Sequence, residues 1–367
     1  MVNKKLMLLS VGYGKGHHSA AGALAEYYRL CGWETQIFDV CELAQPVWFG
    51  ITQRFYDCCV RFLPWLWRVT YDLTDTADWR ELVKSPPLKR VVNCLKQLLD
   101  TYQPDLIICT YPLFAYMLDE LRAQSSVCFP YAVVVTDARE ISRPWARSEA
   151  KLVIVPDADS RRMLIDRYAL EENRVEVGGF PVYCRFRADA GRPDPSCSNL
   201  RILYGAYRHV KGVENDIRSL LSAFPGLRLT VLAGHKANAL RRRFRGYVET
   251  GRLLILRETD KMADYMRQSH FYIGKAGAAT MFECYASHVP AIVNFTLPGQ
   301  EQGNLELLLE EGCGVHVEST QHLIATLERL LADDARGWNE LCTAMKRADR
   351  TDASRRIADI IEKEFRV

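Results

Sequence analysis

The sequence lacks any apolar run approaching the ~18 residues that a membrane-spanning helix needs, which excludes a polytopic membrane protein. It lacks an excess of one charge as well. Its 48 Lys and Arg stand against 45 Asp and Glu, and a net charge of +3 does not point to a nucleic-acid partner. No Cys-x-x-Cys pair occurs among the 12 cysteines, which are irregularly spaced, with Cys58 and Cys59 adjacent. Cys94, Cys109 and Cys128 fall in runs that read as buried strands or helices. Reduced core cysteines of a cytosolic protein are therefore expected, with neither disulfides nor a metal site. A secretory signal is not expected either. After Lys4 and Lys5 only six apolar or small residues precede Gly12, fewer than the ~7–15 of a signal's apolar stretch. What is there is ordinary: 48% apolar and 25% charged residues over 367 positions. That composition excludes disordered, collagen-like and coiled-coil chains, and the length predicts two domains of ~100–200 residues each.

Strand and helix patterns alternate. Leu6–Val11 is a short continuous apolar run ending in glycine, as a buried parallel strand reads, and Ser19 to Leu30 follows with helical periodicity. Thr35–Val40, Leu106–Thr110, Tyr131–Thr136, Leu152–Val155 and Val175–Val177 read as further strands, with helices over Leu88–Tyr102 and Ser160–Tyr168. After Phe180-Pro181 a polar stretch, 185–199, reads as a linker between a first domain, 1–184, and a second, 200–367. The alternation then restarts with Arg201–Tyr204, Arg228–Ala233, Leu253–Leu256, Phe271–Ile273 and Ala291–Asn294. Helices over Thr320–Ala332, Ala335–Ala348 and Ser354–Phe365 close the chain. Two successive α/β domains with parallel sheets are expected, and a cleft outside the carboxyl ends of their strands is the default ligand site.

Segment 46–71 departs from this alternation. It carries Trp48, Phe49, Phe55, Tyr56, Phe62, Trp65, Trp67 and Tyr71. Arg54, Arg61 and Arg68 recur every seven residues, so they fall on one stripe of a helix. Pro64 breaks or kinks any continuous helix here. Aromatic rings interleaved with cations suit an anionic membrane surface; a core helix or a subunit contact is the other reading.

Three loops carry polar chemistry. Gly12-Tyr13-Gly14-Lys15-Gly16-His17-His18-Ser19 follows the first strand and opens a helix, which suits either a phosphate at the helix N-terminus or a histidine acting as general base. Gly274-Lys275-Ala276-Gly277-Ala278-Ala279-Thr280 joins strand to helix in the second domain, with Glu283 two turns in. A small-residue loop at a helix N-terminus suits an anion, and an acid beside it suits a ribose diol. Pro298-Gly299-Gln300-Glu301-Gln302-Gly303-Asn304 has the composition of a hydroxyl-reading loop, or of any polar loop.

Taken together these residues resemble the inverting glycosyltransferases of family 28. They are most similar to the monogalactosyldiacylglycerol synthases and the bacterial processive diacylglycerol glucosyltransferases. Gly14-x-Gly16-His17 with Ser19-Ala20-Ala21, Val135-Thr136-Asp137 with Trp145, and Gly178-Gly179-Phe180-Pro181-Val182 carry the likeness in the first half. Lys275-Ala276-Gly277 with Thr280 and Glu283, and Pro298-Gly299-Gln300-Glu301-x-Gly303-Asn304, carry it in the second. The resemblance implies the GT-B fold, two Rossmann-like domains whose parallel sheets face each other across a cleft. It implies a UDP-sugar donor, UDP-glucose or UDP-galactose, and transfer to diacylglycerol or a similar lipid at the inner face of the cell membrane, without an obligatory cofactor or metal.

By the same resemblance His17 is the base that deprotonates the acceptor. Gly14, Gly16, His18, Asp137 and Trp145 lie towards the acceptor. Glu283 holds the ribose; Lys275, Ala276 and Gly277 with the helix end that follows hold the diphosphate, and Gly205 and Thr280 are further donor-binding residues. Gln300 and Glu301 read the sugar, Gly299 beside them is a donor-binding residue, and Asn304 supports their loop. Trp48, Phe55, Arg61, Trp65, Trp67 and Arg68 are the expected membrane contacts. The sequence departs from the family pattern in three places. The loop Gly205-Ala206-Tyr207-Arg208-His209-Val210-Lys211-Gly212 has few glycines. Ala278-Ala279 replaces a Pro-Gly pair. Arg139 and Arg143 stand in a stretch where the family commonly has a histidine.

Overall fold

A computed structural model describes residues 4–12, 16–62, 64–124, 129–187, 195–196, 199–297 and 301–366. The chain divides into two compact units. The first comprises 1–184, 298–303 and 352–367, and the second 185–297 and 304–351. The sequence pattern ran the second domain to the chain end; in the structure the last helix, Ala353–Phe365, packs with the first unit.

In the first unit β1 (Lys5–Leu9), β2 (Glu34–Phe38), β3 (Leu106–Cys109), β4 (Tyr131–Val134), β5 (Leu152–Val155) and β6 (Val175–Val177) form one sheet in the order β2-β1-β3-β4-β5-β6. Every pairing is parallel. β3, β4 and β5 are buried along their whole length. That is why they read as continuous apolar runs rather than alternating ones: both faces are covered by helices. One face packs Leu6, Leu8, Ile108, Val134 and Ile154 against Ile357, Ala358 and Ile361 of the final helix.

The second unit repeats the plan with β7 (Arg201–Gly205), β8 (Arg228–Leu232), β9 (Leu253–Leu256), β10 (Phe271–Lys275), β11 (Ala291–Phe295) and β12 (Gly314–His316), in the order β12-β11-β10-β7-β8-β9. These pairings too are all parallel. β12 has no counterpart in the sequence pattern, because its three residues carry one β-branched side chain between a glycine and a histidine. The long helical run Thr320–Ala348 is interrupted at Ala332–Ala335, where Asp333, Asp334 and Ala335 take left-handed backbone angles.

Two features bear on the sites. Segment 46–71 lies in two helices, Pro46–Phe62 and Pro64–Thr76, with Pro64 at the first helical position, where its missing N–H costs nothing. The Gly178-Gly179 pair is demanded by the last helix. A Cβ on Gly178 would stand 2.5 Å from Ile154 Cγ2 and 2.7 Å from Ile357 Cγ1, and Gly179 has φ +95° with its missing Cβ 2.8 Å from that of Ala353. Gly178→Ala is therefore expected to destabilise the protein by about 1–3 kcal/mol, the usual scale for overpacking. Chemical denaturation measures this. An unchanged midpoint would mean that the helix does not press on β5 and Gly178 as described.

Candidate functional site

The carboxyl ends of β1, β3 and β4 are neighbours in the first sheet, and polar groups gather there. The chain leaves β1 through Ser10 and Val11 to Gly12. The Gly12 N–H donates to Asp39 Oδ2 (2.8 Å) and its carbonyl accepts from Gln53 Nε2 (3.0 Å). Asp39 also caps the short helix Val40–Ala44, accepting from the Glu42 N–H. Gly14 lies outside the described residues. The helix Gly16–Leu30 then begins, with His17 in its first turn and the neighbouring His18 exposed.

His17 is half-buried. Its Nδ1 stands 2.6 Å from Oγ1 of Thr136, just beyond β4. The Tyr111 ring meets it edge-on at 5.0 Å and the Trp145 ring lies 6.3 Å away. Loss of water around the imidazole pulls its pKa down to about 4, against the opposing effect of a hydrogen bond to the Thr110 carbonyl. The ring is thus neutral at physiological pH. Beside it, Asp137 Oδ2 accepts from Trp145 Nε1 at 3.0 Å. Burial pushes this carboxyl up to about 6, the indole bond works the other way, and the carboxylate of Glu301 adds a smaller push upward. Glu301 is itself buried. Its loop is held close to the chain after β4: a Cβ on Gly303 would stand 2.3 Å from the Ala138 carbonyl oxygen and 2.6 Å from the Glu140 nitrogen. The structure thus brings His17, Asp137, Trp145 and Glu301 together in one unit. Arg139, in the stretch that departs from the family pattern, takes φ +59° and pairs with Asp159 at 2.8 Å. Gly299 and Gln300 lie outside the described residues.

In the second unit the carboxyl ends of β7, β10 and β11 are likewise adjacent. Lys275 ends β10, with Nζ 5.3 Å from the centre of the Tyr207 ring. Gly205 ends β7, and a Cβ there would stand 2.6 Å from Tyr207 Cε2. Gly277 is the N-cap of the helix Ala278–Ala286 and no side chain fills that cap, which leaves backbone N–H groups free for an anion. Asn304 Nδ2 donates to the Ala276 carbonyl at 3.0 Å, tying the start of the last polar loop's helix to the strand-to-helix turn. Thr280 and Glu283 are half-buried on the same helix. Burial pushes Glu283 up to about 8, with Arg185 pulling the other way.

One functional feature was missed in the sequence. Arg208 of the 205–212 loop is internally paired. Arg208 Nη1 lies 3.0 and 3.1 Å from the two oxygens of Asp216, which is wholly buried and also accepts from Tyr204 Oη (2.6 Å), Thr320 Oγ1 (2.6 Å) and Asn294 Nδ2 (3.3 Å). Lys236 Nζ donates to the carbonyls of Ala206 and Arg208, both at 2.6 Å. Hydrogen bonds therefore do here what glycines do in the family loop: they fix a tight backbone. The available signal was Asp216 itself, an acid on the same buried helical stripe as Val213, Ile217 and Leu220.

Helix 46–62 exposes Val47, Trp48, Ile51 and Phe55, with exposed Arg54 among them; the spacing 47, 51, 55 makes one stripe. The side chains of Arg61, Trp65, Trp67 and Arg68 lie outside the described residues. No described helix is long and apolar enough to cross a membrane. Among the described residues, no group of three or more His, Cys, Asp or Glu side chains could hold a metal ion.

Known proteins match this layout along the whole chain. The family model for monogalactosyldiacylglycerol (MGDG) synthase matches residues 17–182, and that for the glycosyltransferase family 28 C-terminal domain matches 227–363. The processive diacylglycerol beta-glucosyltransferases of Bacillus thuringiensis (strain Al Hakam) and Bacillus cereus (strain AH820) are each 28% identical over 379 aligned residues, covering 100% of this chain and 95% of theirs. Among solved structures, the glycotransferase of kitacinnamycin superposes with a TM-score of 0.65 at 14% identity over 100% of both chains. MurG of Acinetobacter baumannii gives 0.59 at 15%, over 98% of this chain and 99% of that one. UDP-GlcNAc 2-epimerase of Neisseria meningitidis gives 0.61 at 12%, over 98% and 100%. The fold is thus GT-B, and the chain is similar in its first half to the monogalactosyldiacylglycerol synthases and in its second to the glycosyltransferases of family 28.

Proposed function

We propose that this protein transfers a hexose from a UDP-sugar, UDP-glucose or UDP-galactose, to the hydroxyl of diacylglycerol or a closely similar membrane lipid, with inversion at the anomeric carbon. The observation that carries this reading is His17, a neutral imidazole fixed at the carboxyl edge of the first sheet beside Asp137 and Glu301. A neutral ring can take a proton; a charged one cannot. As the acceptor oxygen attacks the anomeric carbon, His17 takes its proton, and the diphosphate leaves from the opposite side. The full-length likeness to diacylglycerol glucosyltransferases supports the lipid acceptor. The likeness to a 2-epimerase is one of fold alone.

On the donor side, the uncapped N-terminus of helix 278–286 and Lys275 meet the diphosphate, where preformed N–H dipoles stabilise the charge that grows as the bond breaks. Glu283 accepts from the ribose hydroxyls, and Gln300 and Glu301 read the sugar. No resident cofactor enters this scheme. The apolar stripe Val47, Ile51 and Phe55, with Trp48 and Arg54, rests on an anionic lipid surface as a peripheral contact at the inner face of the cell membrane.

Three outcomes follow from this reading. His17→Ala loses about 10²–10⁴-fold in turnover, the usual contribution of a positioned base, while calorimetry gives unchanged UDP affinity. Near wild-type turnover would assign the proton transfer to another group.

Glu283 makes UDP binding pH-dependent. The diol donates to the ionised carboxylate, but in the free protein the group is protonated below about 8. Binding must then release that proton, so affinity rises by up to about tenfold per unit from pH 7 to 8 and levels off above. Glu283→Gln flattens this slope and binds more weakly at pH 9. An equally flat profile in both proteins removes Glu283 from the ribose site.

Wild-type protein co-sediments with anionic vesicles and is released by high salt. Exchanging Trp48 and Phe55 together for Ser reduces sedimentation without changing the melting temperature, because both are already exposed. A large melting-point drop with unchanged sedimentation would make the stripe a packing surface instead.

A further inference from the structure

The side chain that engages His17 Nδ1 is not a carboxylate, the usual partner of a catalytic imidazole, but a hydroxyl. Thr136 is buried at 3% exposure, just past the end of β4, with Asp137 next to it occupied by Trp145. Its Oγ1 lies 2.6 Å from Nδ1, short enough to fix the ring's orientation. The His17 backbone is in the first turn of helix 16–30, and Val135, next to Thr136, donates its N–H to the Ile154 carbonyl at 2.8 Å. The contact spans 119 residues of sequence, and nothing about a threonine after a strand announces it.

We propose that Thr136 is a positioning residue for His17: its hydroxyl oxygen accepts the Nδ1 proton, on the side of the ring where the Thr110 carbonyl can likewise only accept, and so leaves the Nε2 lone pair as the one that takes the acceptor's proton. This rests on the reading of His17 as the base. A hydroxyl partner has a chemical consequence that a carboxylate would not. It orients the ring and sets the tautomer without adding a negative charge, so the imidazole stays a neutral acceptor in its desolvated setting rather than being drawn to the charged form. When the proton arrives, both nitrogens carry one, and Thr136 continues to accept from Nδ1.

The test uses the full chain with two substitutions. Thr136→Val keeps the shape and removes the hydroxyl; Thr136→Ser keeps the hydroxyl and loses a methyl. Nitrogen-15 spectra of histidine-labelled protein, with the His17 signal identified by its absence in His17→Ala, report the tautomer directly. The expected result is a protonated Nδ1 in wild type and Thr136→Ser, and a shift towards protonated Nε2 or a mixture in Thr136→Val. Turnover in Thr136→Val should fall about 10–100-fold, the cost of a misplaced reacting group, with the KM for donor unchanged, and Thr136→Ser should restore most of it. A wild-type ring protonated at Nε2 overturns the proposal whatever the activity. So does a Thr136→Val protein that is folded and fully active while His17→Ala is dead, and in that case the base reading survives. If His17→Ala is itself active, the base reading fails first and the positioning role falls with it. A Thr136→Val protein with a lowered melting point and equal losses in Thr136→Ser would show a packing role only.

Discussion

Burial of ionisable side chains at the carboxyl ends of two parallel sheets, without full ionic compensation, is the constraint on which this structure's chemistry depends. A desolvated acid is pushed towards its protonated form and a desolvated imidazole towards its free base. His17 moves down to about 4, while Asp137 and Glu283 move up to about 6 and about 8. All three move towards neutrality. Such groups respond strongly to whatever enters next to them: a hydroxyl to be deprotonated, a sugar diol, a charged diphosphate. A solvated site would damp those responses, since water competes for every donor and acceptor.

Holding such groups in place takes rigid surroundings, and the two units provide them differently. In the first, close backbone approach does the work. Gly303 sits against the chain after β4, and Gly178 with Gly179 lies under the final helix, where no Cβ fits. In the second, a buried carboxylate does it. Asp216 gathers a tyrosine, an arginine, a threonine and an asparagine, and so fixes the loop that follows β7. Burying a charge this deeply is tolerable only because Arg208 and three neutral donors satisfy it. The departure from a glycine-rich loop is a substitution of one means of rigidity for another.

Much of the fold was legible because parallel strands covered on both faces must be short, continuous and apolar. β3, β4 and β5 announce themselves so, whereas β2 and β6, at the sheet edge, carry polar residues, and β12 has one apolar side chain in three residues. The helix boundary at Pro64 and the break after Ala332 also followed from local chemistry. His17, Asp137, Glu283 and Glu301 were visible because glycines and strand ends flank them. Trp145, which donates to Asp137, was visible with them, but the other contacts that tune these groups were not. Thr136 and Tyr111 acquire their roles only when β1, β3 and β4 align side by side, and Asp216 is an acid in a helix, a residue usually found in solvent. Local sequence carries the reactive groups; the groups that tune them come from tertiary pairing.

The central claim is the reaction itself, and the product tests it most directly. Purified protein is incubated with UDP-glucose or UDP-galactose and diacylglycerol in anionic vesicles, and the lipid fraction is analysed by proton nuclear magnetic resonance. The account predicts a hexosyl-diacylglycerol with a β anomeric linkage, formed as UDP is released in equal amount to the first sugar transferred. An α-linked product would contradict single displacement. A UDP-sugar that is recovered unchanged, hydrolysed or epimerised, with no glycolipid formed from either donor, would contradict the assignment altogether.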